Sequence, residues 1–440
     1  MKYDKFFALA KEAGIQDAEL YINQSVNLSF SLFHGEVDQY SSSNGFSIIA
    51  RGIVNGKFGS VACDSWSKDK PEYLVKEILT NAKLSENDDP VFIFGGSPKY
   101  KKINVFNKDL ENVSIDSKMD ELFKLEKLIK DGDARVSEVE VGYEESKTVL
   151  TILNSKGLKL NQKNNYFVYY GSAVVKQDEQ TKSNFELFFD NDFSKLNVPE
   201  LAKKVVDGAV AQLNGDPCPT GTYKTIIDAQ AFKSLLSFYI GQTDAEEIQK
   251  KSSLFVDKLN QKVASKKITV SDMPLAKTLF ARPFDDEGVA TTNRPIIKNG
   301  ILQTYLYNLT TAAKDGVETT GNAQRSGAGT IGAAPFYLVL KPGKKSLEQM
   351  FEEVGDGVYI NDISGLHAGL NAQSGNFSLV SGGFLIKNGK KDRSLDMVTI
   401  SGNLKDLFNN IIEVGSDSHV YPSAISCSSV LVKKLAITGK

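Results

Sequence analysis

Four of the five Asn-Gly pairs, each next to strand-like segments, restrict what this chain can fold into more than any other feature of its sequence. They are Asn44-Gly45, Asn55-Gly56, Asn299-Gly300 and Asn388-Gly389. Both residues tolerate positive φ, which the two-residue turns of β-hairpins require. Segments rich in β-branched and aromatic residues adjoin the pairs, so the sequence predicts antiparallel hairpins in both halves of the chain.

The first half predicts an antiparallel meander accompanied by helices. Strand segments are expected at residues 18–22, 28–33, 46–54, 57–63, 136–153, 158–176 and 185–189. Helical segments are expected at residues 2–13, 70–84, 117–130 and 199–213. The order of helix, sheet, helices, sheet and helix indicates an α+β fold rather than a doubly wound alternation. His34, within the meander, is expected on a hairpin surface rather than at a metal.

The densest cluster of Gly, Pro and Asn, at residues 214–221, predicts a domain boundary. Residues 1–213 would form a helix-plus-antiparallel-sheet domain. Residues 222–440 contain many short strand segments and few helices, which predicts a curled sheet or barrel-like domain. One of those helices follows Asp228, a plausible N-cap, because Phe232, Leu235, Leu236, Tyr239 and Ile240 form one apolar stripe that ends near Gly241.

Composition narrows the function classes. The chain has 440 residues, 41% hydrophobic content and a net charge of −2, so nothing attracts it globally to nucleic acid or to an acidic membrane. No segment resembles a signal peptide or a membrane span, and three widely spaced cysteines indicate reduced thiols, so we expect a cytoplasmic protein. The three histidines share no short spacing, which disfavours a zinc site; a site built from His419 and Cys427 is a minor alternative.

The stretch at residues 280–291 concentrates charge. Asp285, Asp286 and Glu287 are consecutive and lie between Arg282 and Gly288. Carboxylates this close repel one another unless a cation or backbone N–H groups compensate them. Local sequence alone favours a solvated turn, and catalysis by a pair of these carboxylates is a weaker alternative.

The motifs of the second half, taken together and in order, resemble the TldD/PmbA family, whose members are often labelled modulators of DNA gyrase. The segments that carry the resemblance are Phe284-Asp285-Asp286-Glu287-Gly288, Asn299-Gly300-Ile301-Leu302, Gly321-Asn322-Ala323, Gly375-Asn376-Phe377-Ser378 and Ser401-Gly402-Asn403-Leu404. The resemblance implies a bacterial, cytoplasmic peptidase assembly of two subunits, TldD and TldE (also called PmbA), that processes or degrades small and unfolded peptides. Zinc-bearing members carry His-Glu-x-x-x-His on a helix upstream of the carboxylate turn.

This chain departs from that zinc motif. Aligned on Leu235-Leu236 and Gly241, the three motif positions fall on Ser237, Phe238 and Gln242. Serine and amide oxygens bind zinc poorly and phenylalanine does not bind it, so the chain resembles the TldE/PmbA-type subunit without a metal of its own. Cys427 lies too far toward the C-terminus to replace the cysteine ligand of the catalytic subunit.

The resemblance therefore implies that zinc belongs to a TldD-type partner and that extended or unfolded peptide is the substrate. Whether this chain has any catalytic activity of its own stays open, and a homodimer is possible when the partner is absent. Arg282, Asp285, Asp286 and Glu287 would brace a chamber wall or the subunit interface. Asn322, Asn376 and Ser378 would contact peptide backbone, unless they only satisfy local turns.

Two other function classes remain as alternatives. One is a non-enzymatic binding protein that modulates DNA gyrase or a toxin–antitoxin system, although the sequence has no basic stripe for direct contact with DNA. The other is an enzyme that acts alone through a Ser or Cys nucleophile, although no Gly-x-Ser-x-Gly motif is present.

Overall fold

A computed structural model describes residues 3–327 and 330–440 of the chain. The first half contains one six-stranded, fully antiparallel sheet with strand order β3-β2-β1-β4-β5-β6. Its strands are β1 (Asp17–Phe33), β2 (Glu36–Val54), β3 (Lys57–Cys63), β4 (Val136–Asn154), β5 (Lys159–Gln177) and β6 (Gln180–Asp190). Its helices are α1 (Asp4–Glu12), α2 (Lys70–Leu84), α3 (Ile115–Lys130) and α4 (Val198–Val210).

All four helices pack on one face of this curled sheet. Alternate side chains of the strands, such as Leu20 and Phe30 on β1 and Tyr143 on β4, point into the helix-covered core. The opposite face, which we call the open face, carries the intervening residues. Helix-covered and open faces therefore follow directly from the period-two pattern of the strands.

The second half adds two further six-stranded sheets. The strands of this half are β7 (Gly221–Ile227), β8 (Val270–Asp272), β9 (Arg294–Lys298), β10 (Ile301–Leu302), β11 (Ala323–Ser326), β12 (Thr330–Ala333), β13 (Leu338–Leu340), β14 (Gly357–Ser364), β15 (Asn376–Lys387), β16 (Lys390–Asn403), β17 (Ile411–Val414), β18 (His419–Tyr421), β19 (Ile425–Cys427) and β20 (Val430–Thr438). The helices are α5 (Ala229–Gly241), α6 (Ala245–Gln249), α7 (Leu309–Asp315), α8 (Leu347–Val354), α9 (Leu366–Gly369) and α10 (Leu404–Asn409). One sheet has the order β16-β15-β14-β7-β20-β17, and a further pairing of β16 with β20 closes five of its strands into a barrel. The other has the order β10-β9-β8-β13-β19-β18.

Helix α5 lies between the barrel and the second sheet, against β14 and β19. Its predicted apolar stripe is confirmed, because Phe232, Leu235, Leu236, Tyr239 and Ile240 are all fully buried in the largest core cluster. Asp228 caps the helix by accepting the amide of Gln230. The predicted α+β class, with a curled sheet and a barrel-like second half, is confirmed.

The hairpin prediction at Asn44-Gly45 is wrong. These residues lie inside β2 and pair with Val26 and Ser25 of β1, so β1 and β2 are longer than expected. The turn is made by His34 and Gly35, at φ 55° and 80°, so His34 does lie in a hairpin turn. The other three pairs that were predicted as hairpin turns, Asn55-Gly56, Asn299-Gly300 and Asn388-Gly389, adopt positive φ at both residues and form turns as predicted.

Other differences concern short elements. Residues 18–22 and 28–33 belong to one strand, β1. Helix α7 and strands β17 to β19 were not predicted, because three to seven residues carry too little periodicity to be recognised. The cluster of Gly, Pro and Asn at residues 214–221 follows α4 and ends at the first residue of β7. None of the described helices combines the length and apolarity needed to cross a bilayer.

The contact of α2 with β3 provides a test of the fold. A Cβ at Gly59 of β3 would lie 1.9 Å from Ile78 O of α2. Gly59→Ala should therefore force the helix outward and lower the free energy of unfolding by about 1–3 kcal/mol, the usual cost of overpacking. Chemical denaturation measures this.

Gly241→Ala is the matched control, because no atom lies within 4 Å of its Cβ position at the end of α5. It should leave stability unchanged or raise it by up to about 1 kcal/mol. Equal changes in the free energy of unfolding for the two variants would contradict this packing of α2 on β3.

Candidate functional site

The carboxylate turn (residues 284–290) is buried between the two halves of the chain. The exposed fractions of Asp285, Asp286 and Glu287 are only 0%, 6% and 3%. Gly288 closes the turn at φ +84°, and a side chain there would also collide with Leu158 of the first half. The solvated turn favoured by local sequence is therefore wrong: the turn is inserted against the open face of the first sheet.

Asp285 holds the turn together from inside. Its Oδ1 accepts the amides of Glu287 and Val289 at 3.0 and 2.9 Å, and its Oδ2 accepts the amide of Ala323 at 3.1 Å. Burial, followed by the neighbouring Glu287, raises the pKa of Asp285 well above its ordinary value. Since every contact is to backbone within the chain, this side chain organises the turn and the start of β11.

Asp286 connects the halves of the chain. Its Oδ1 accepts hydrogen bonds from the hydroxyl of Tyr21 on β1, at 3.0 Å, and from Arg282. Its Oδ2 accepts the amide of Arg325 at 2.8 Å. Burial and the adjacent Asp286 raise the pKa of Tyr21 to about 12, so its hydroxyl remains a donor.

A second ion network, centred on Glu19, lies beside Asp286. Glu19 of β1 is fully buried, and its Oε1 accepts Arg51 Nε at 2.7 Å and Arg325 Nη2 at 2.9 Å. The Arg325 guanidinium also lies 4.7 Å from the centre of the Tyr21 ring and donates to Asp286 O at 2.9 Å. Charges from both halves of the chain therefore compensate one another where water is excluded.

The residues that we align with the zinc motif lie on α5 or at its C-cap, and their side chains do not fit a metal. Ser237 is exposed, and Phe238 packs partly against the core. Gln242 is the C-cap of the helix, and its Oε1 already accepts the amide of Leu254 at 3.1 Å. A hydroxyl, a benzyl group and an engaged amide do not form a zinc site.

No group of three or more His, Cys, Asp or Glu side chains in the described part of the chain is arranged to hold a metal ion. His419 and Cys427 are cross-strand partners on β18 and β19. Burial raises the pKa of the Cys427 thiol, which disfavours the thiolate that zinc requires.

The remaining candidate residues are not gathered at one place. Asn322 is buried, and its Nδ2 donates to Asp272 Oδ2 at 2.7 Å and to Ala334 O at 3.1 Å. Asn376 is exposed on β15 and accepts Asn403 Nδ2 at 2.8 Å; Ser378 is exposed on the same strand. Asn322 thus has local partners, whereas Asn376 and Ser378 face solvent.

Sequence reasoning missed Glu19, Tyr21, Arg51 and Arg325, which supply half of the buried network. Glu19 and Arg51 carried a weak signal, since each interrupts an apolar stretch of strand. Residues 18–20 and 50–52 are buried in the structure. A charge in such a stretch needs a partner, but nothing in the sequence identifies which one.

Removal of the Glu19 carboxylate should destabilise the protein, because this group links Arg51 to Arg325. Glu19→Ala leaves Arg51 and Arg325 buried without their shared carboxylate, which should cost about 3–5 kcal/mol of unfolding free energy. Asp207→Ala, which breaks the exposed Lys203–Asp207 pair, should change stability little. Denaturation of both variants measures the difference, and a small effect of Glu19→Ala would show that the network is not needed.

The free energy of unfolding should depend on pH in a way that reflects the titration of Glu287. Burial raises the pKa of Glu287 above 4.5, although Arg51 opposes the shift. The native state then binds the proton more tightly than the unfolded state, so this group's contribution falls as pH rises from 4.5 through the native pKa.

Glu287→Gln does not titrate and can keep the bond from Leu309 N, which is 2.8 Å long. Its stability relative to the unchanged protein should therefore improve between pH 4.5 and neutral pH. A difference that stays constant, or that falls with rising pH, would contradict this account.

Comparison with known proteins assigns the chain to a family. Three family descriptions match in order: PmbA/TldA metallopeptidase domain 1 at residues 18–82, the central domain at 108–213 and the C-terminal domain at 220–439. Strands from the first two regions form one continuous sheet here, through the pairing of β1 with β4.

Relatives match over nearly the whole chain. The metalloprotease PmbA homolog of Buchnera aphidicola is 25% identical over 96% of this chain and 93% of its own length, and metalloprotease PmbA of Escherichia coli is 25% identical over 98% and 95%. A Thermotoga maritima structure named for a modulator of a DNA gyrase has a TM-score of 0.91 and 31% identity over 99% of both chains. TldE from Thermococcus kodakarensis shares the fold, with a TM-score of 0.90 and 24% identity over 100% of both chains. The chain belongs to the PmbA/TldD metallopeptidase family.

Proposed function

We propose that this chain is the metal-free, TldE/PmbA-like subunit of a two-subunit zinc peptidase. A zinc-bearing TldD-type partner supplies the catalytic centre, and the two subunits together enclose the path of the substrate. The substrate is small, extended or unfolded peptide.

The observation that carries this proposal is that α5 is a well-formed, buried helix without zinc-binding side chains. The helix keeps its N-cap, its buried stripe and its place between barrel and sheet. The positions that we align with the zinc motif nevertheless hold Ser237, Phe238 and Gln242, and Gln242, at the C-cap, already accepts a backbone amide. The scaffold of a catalytic helix without its ligands suits a subunit whose role is assembly and substrate guidance.

Open strand edges support the peptide part of the proposal. β6 has one neighbour, β5, and the outer side of β2 at residues 36–45 has no partner strand in the described chain. An extended peptide can add to such an edge through main-chain hydrogen bonds, with little demand on its sequence. The same edges permit self-association when the partner is absent.

The buried ion networks have a supporting role. Asp286 and Arg325 connect the turn to Tyr21 and Glu19 of the first sheet, so the chamber wall that the open face forms stays fixed relative to α5. Arg282 pairs with Asp286 within the turn. Three free cysteines, Cys63, Cys218 and Cys427, are consistent with a reducing cytoplasm as the place of action.

The test is a reconstitution. We expect the isolated chain to bind no zinc and to cleave no unfolded peptide, whereas a mixture with a zinc-bearing TldD-type subunit cleaves the peptide and loses activity with a chelator. Metal analysis and peptide mass spectrometry measure both properties. Ser237→Ala should leave the rate of the mixture unchanged, because Ser237 has no part in the metal centre.

Three results would contradict the proposal. They are stoichiometric zinc on the isolated chain, chelator-sensitive cleavage without a partner, and loss of activity in Ser237→Ala. Specific binding to gyrase or to a toxin–antitoxin pair without any effect on a partner peptidase would favour the non-enzymatic alternative instead.

A further inference from the structure

An aromatic cleft lies between the open face of the first sheet and the second half of the chain. Its cavity has a volume of about 600 Å³. Strands β5 and β6 supply one wall, and residues near the carboxylate turn and β18 supply the other. The side chains that define the aromatic cleft are Tyr166, Tyr170, Phe185, Phe189, Phe280 and Pro422.

The cleft exposes apolar surface that a folded chain normally buries. Phe185 is 55% exposed and Tyr166 40% exposed. Tyr170 stacks on Phe185 with ring centres 5.7 Å apart, and Phe189 lies 6.0 Å from Phe280, so the rings already support one another. Preformed apolar concavities of this size are typical of binding sites.

The neighbouring strand β4 makes one end of the cleft acidic. Glu144 lines the cavity, and Glu140 lies on the same face, four residues away. Between them is Gly142, where a Cβ would lie 2.1 Å from Tyr170 Cζ, so the missing side chain allows the Tyr170 ring to lie across β4. Burial and these two carboxylates raise the pKa of the Tyr170 phenol.

Neither glutamate has an ion-pair partner within the described chain. The salt bridges there use the adjacent Glu138 and Glu145 instead. Across the strands, Glu144 pairs with Val168, and Val168 pairs with Phe189 of β6. An unpaired negative charge therefore lies two strand spacings, about 10 Å, from the apolar end of the cleft.

A polar group also faces the cavity wall. Asn164 lines the cleft, and its Nδ2 donates to Leu279 O at 2.7 Å. Its Oδ1 is buried and accepts no hydrogen bond in the described chain. An incoming N–H group would satisfy this oxygen.

We propose that the aromatic cleft binds an extended peptide segment in which a large apolar side chain and a Lys or Arg are two residues apart. The apolar side chain packs among Phe185, Phe189 and Phe280, and the cation reaches Glu144 across the Tyr170 ring. Residues two apart in an extended segment have Cα atoms about 7 Å from each other, and the length of a basic side chain covers the rest. This inference rests on the proposed function and adds to it a preference for apolar-basic peptides.

Binding of unstructured fluorescent peptides to the full chain, measured by anisotropy, tests the proposal. One peptide carries Phe and Lys two residues apart, and a second replaces Lys with Glu. We expect the Lys peptide to bind about tenfold more tightly. Glu144→Lys should reverse this order, and Phe185→Ser should weaken the Lys peptide by about tenfold.

Two matched variants control for net charge and for loss of an aromatic ring. Glu179→Lys changes the same charge in the exposed turn between β5 and β6, and Tyr73→Ser removes an exposed ring from α2. Both should bind the peptides like the unchanged protein. The reversal by Glu144→Lys is a gain of affinity for the Glu peptide, which a misfolded variant cannot produce.

Identical affinities in the cleft variants and the controls would overturn this inference while leaving the proposed function intact, provided that the mixture with the zinc-bearing subunit still cleaves peptide. If Phe185→Ser abolished self-association but left peptide affinity unchanged, the cleft would belong to a second copy of this chain and the inference would also be wrong. Absence of cleavage in the mixture would instead remove the proposed function itself.

Discussion

Burial of charge at the junction between the two halves is the constraint on which the rest of the structure depends. Asp285, Asp286 and Glu19 are all buried, so each needs partners that only the folded chain provides. Backbone amides bind Asp285, whereas Asp286 accepts a hydrogen bond from Tyr21 across the junction. Glu19 accepts Arg325 across the junction and Arg51 from its own half of the chain. Ion networks of this kind add little net stability compared with apolar packing, but moving the two halves apart would leave buried charges unpaired, which opposes any other relative placement.

That placement positions everything that concerns function. The turn occupies one end of the open face, near Ile152 and Leu158. The aromatic cleft occupies the side formed by β5 and β6, where residues just before the turn, such as Phe280, form its second wall. Helix α5 is held separately, between the barrel and the second sheet. The wall of the cleft formed by β5 and β6 therefore lies on strands, and loop residues form the opposite wall.

Features that depend on a local sequence pattern were predicted correctly. Predictions failed where contacts with residues distant in the chain determine the structure. The apolar stripe of α5, its N-cap Asp228 and three of the four Asn-Gly turns are as expected, since a few neighbouring residues determine each of them. Asn44-Gly45 failed because pairing with β1 continues past it. The carboxylate turn was recognised as unusual, but its burial depends on Tyr21 and Arg325, which are distant in the chain and carry no mark of their role. The aromatic cleft was not predicted because its walls come from strands and from a loop that are about ninety or more residues apart.

The central claim is that this chain keeps the scaffold of a catalytic helix while the metal belongs to a partner. Anomalous scattering at the zinc edge, from crystals of the chain in complex with a TldD-type subunit and a peptide, tests that claim most directly. The account predicts a zinc peak held by side chains of the partner alone. A peak coordinated by this chain near Ser237 and Gln242 would contradict it.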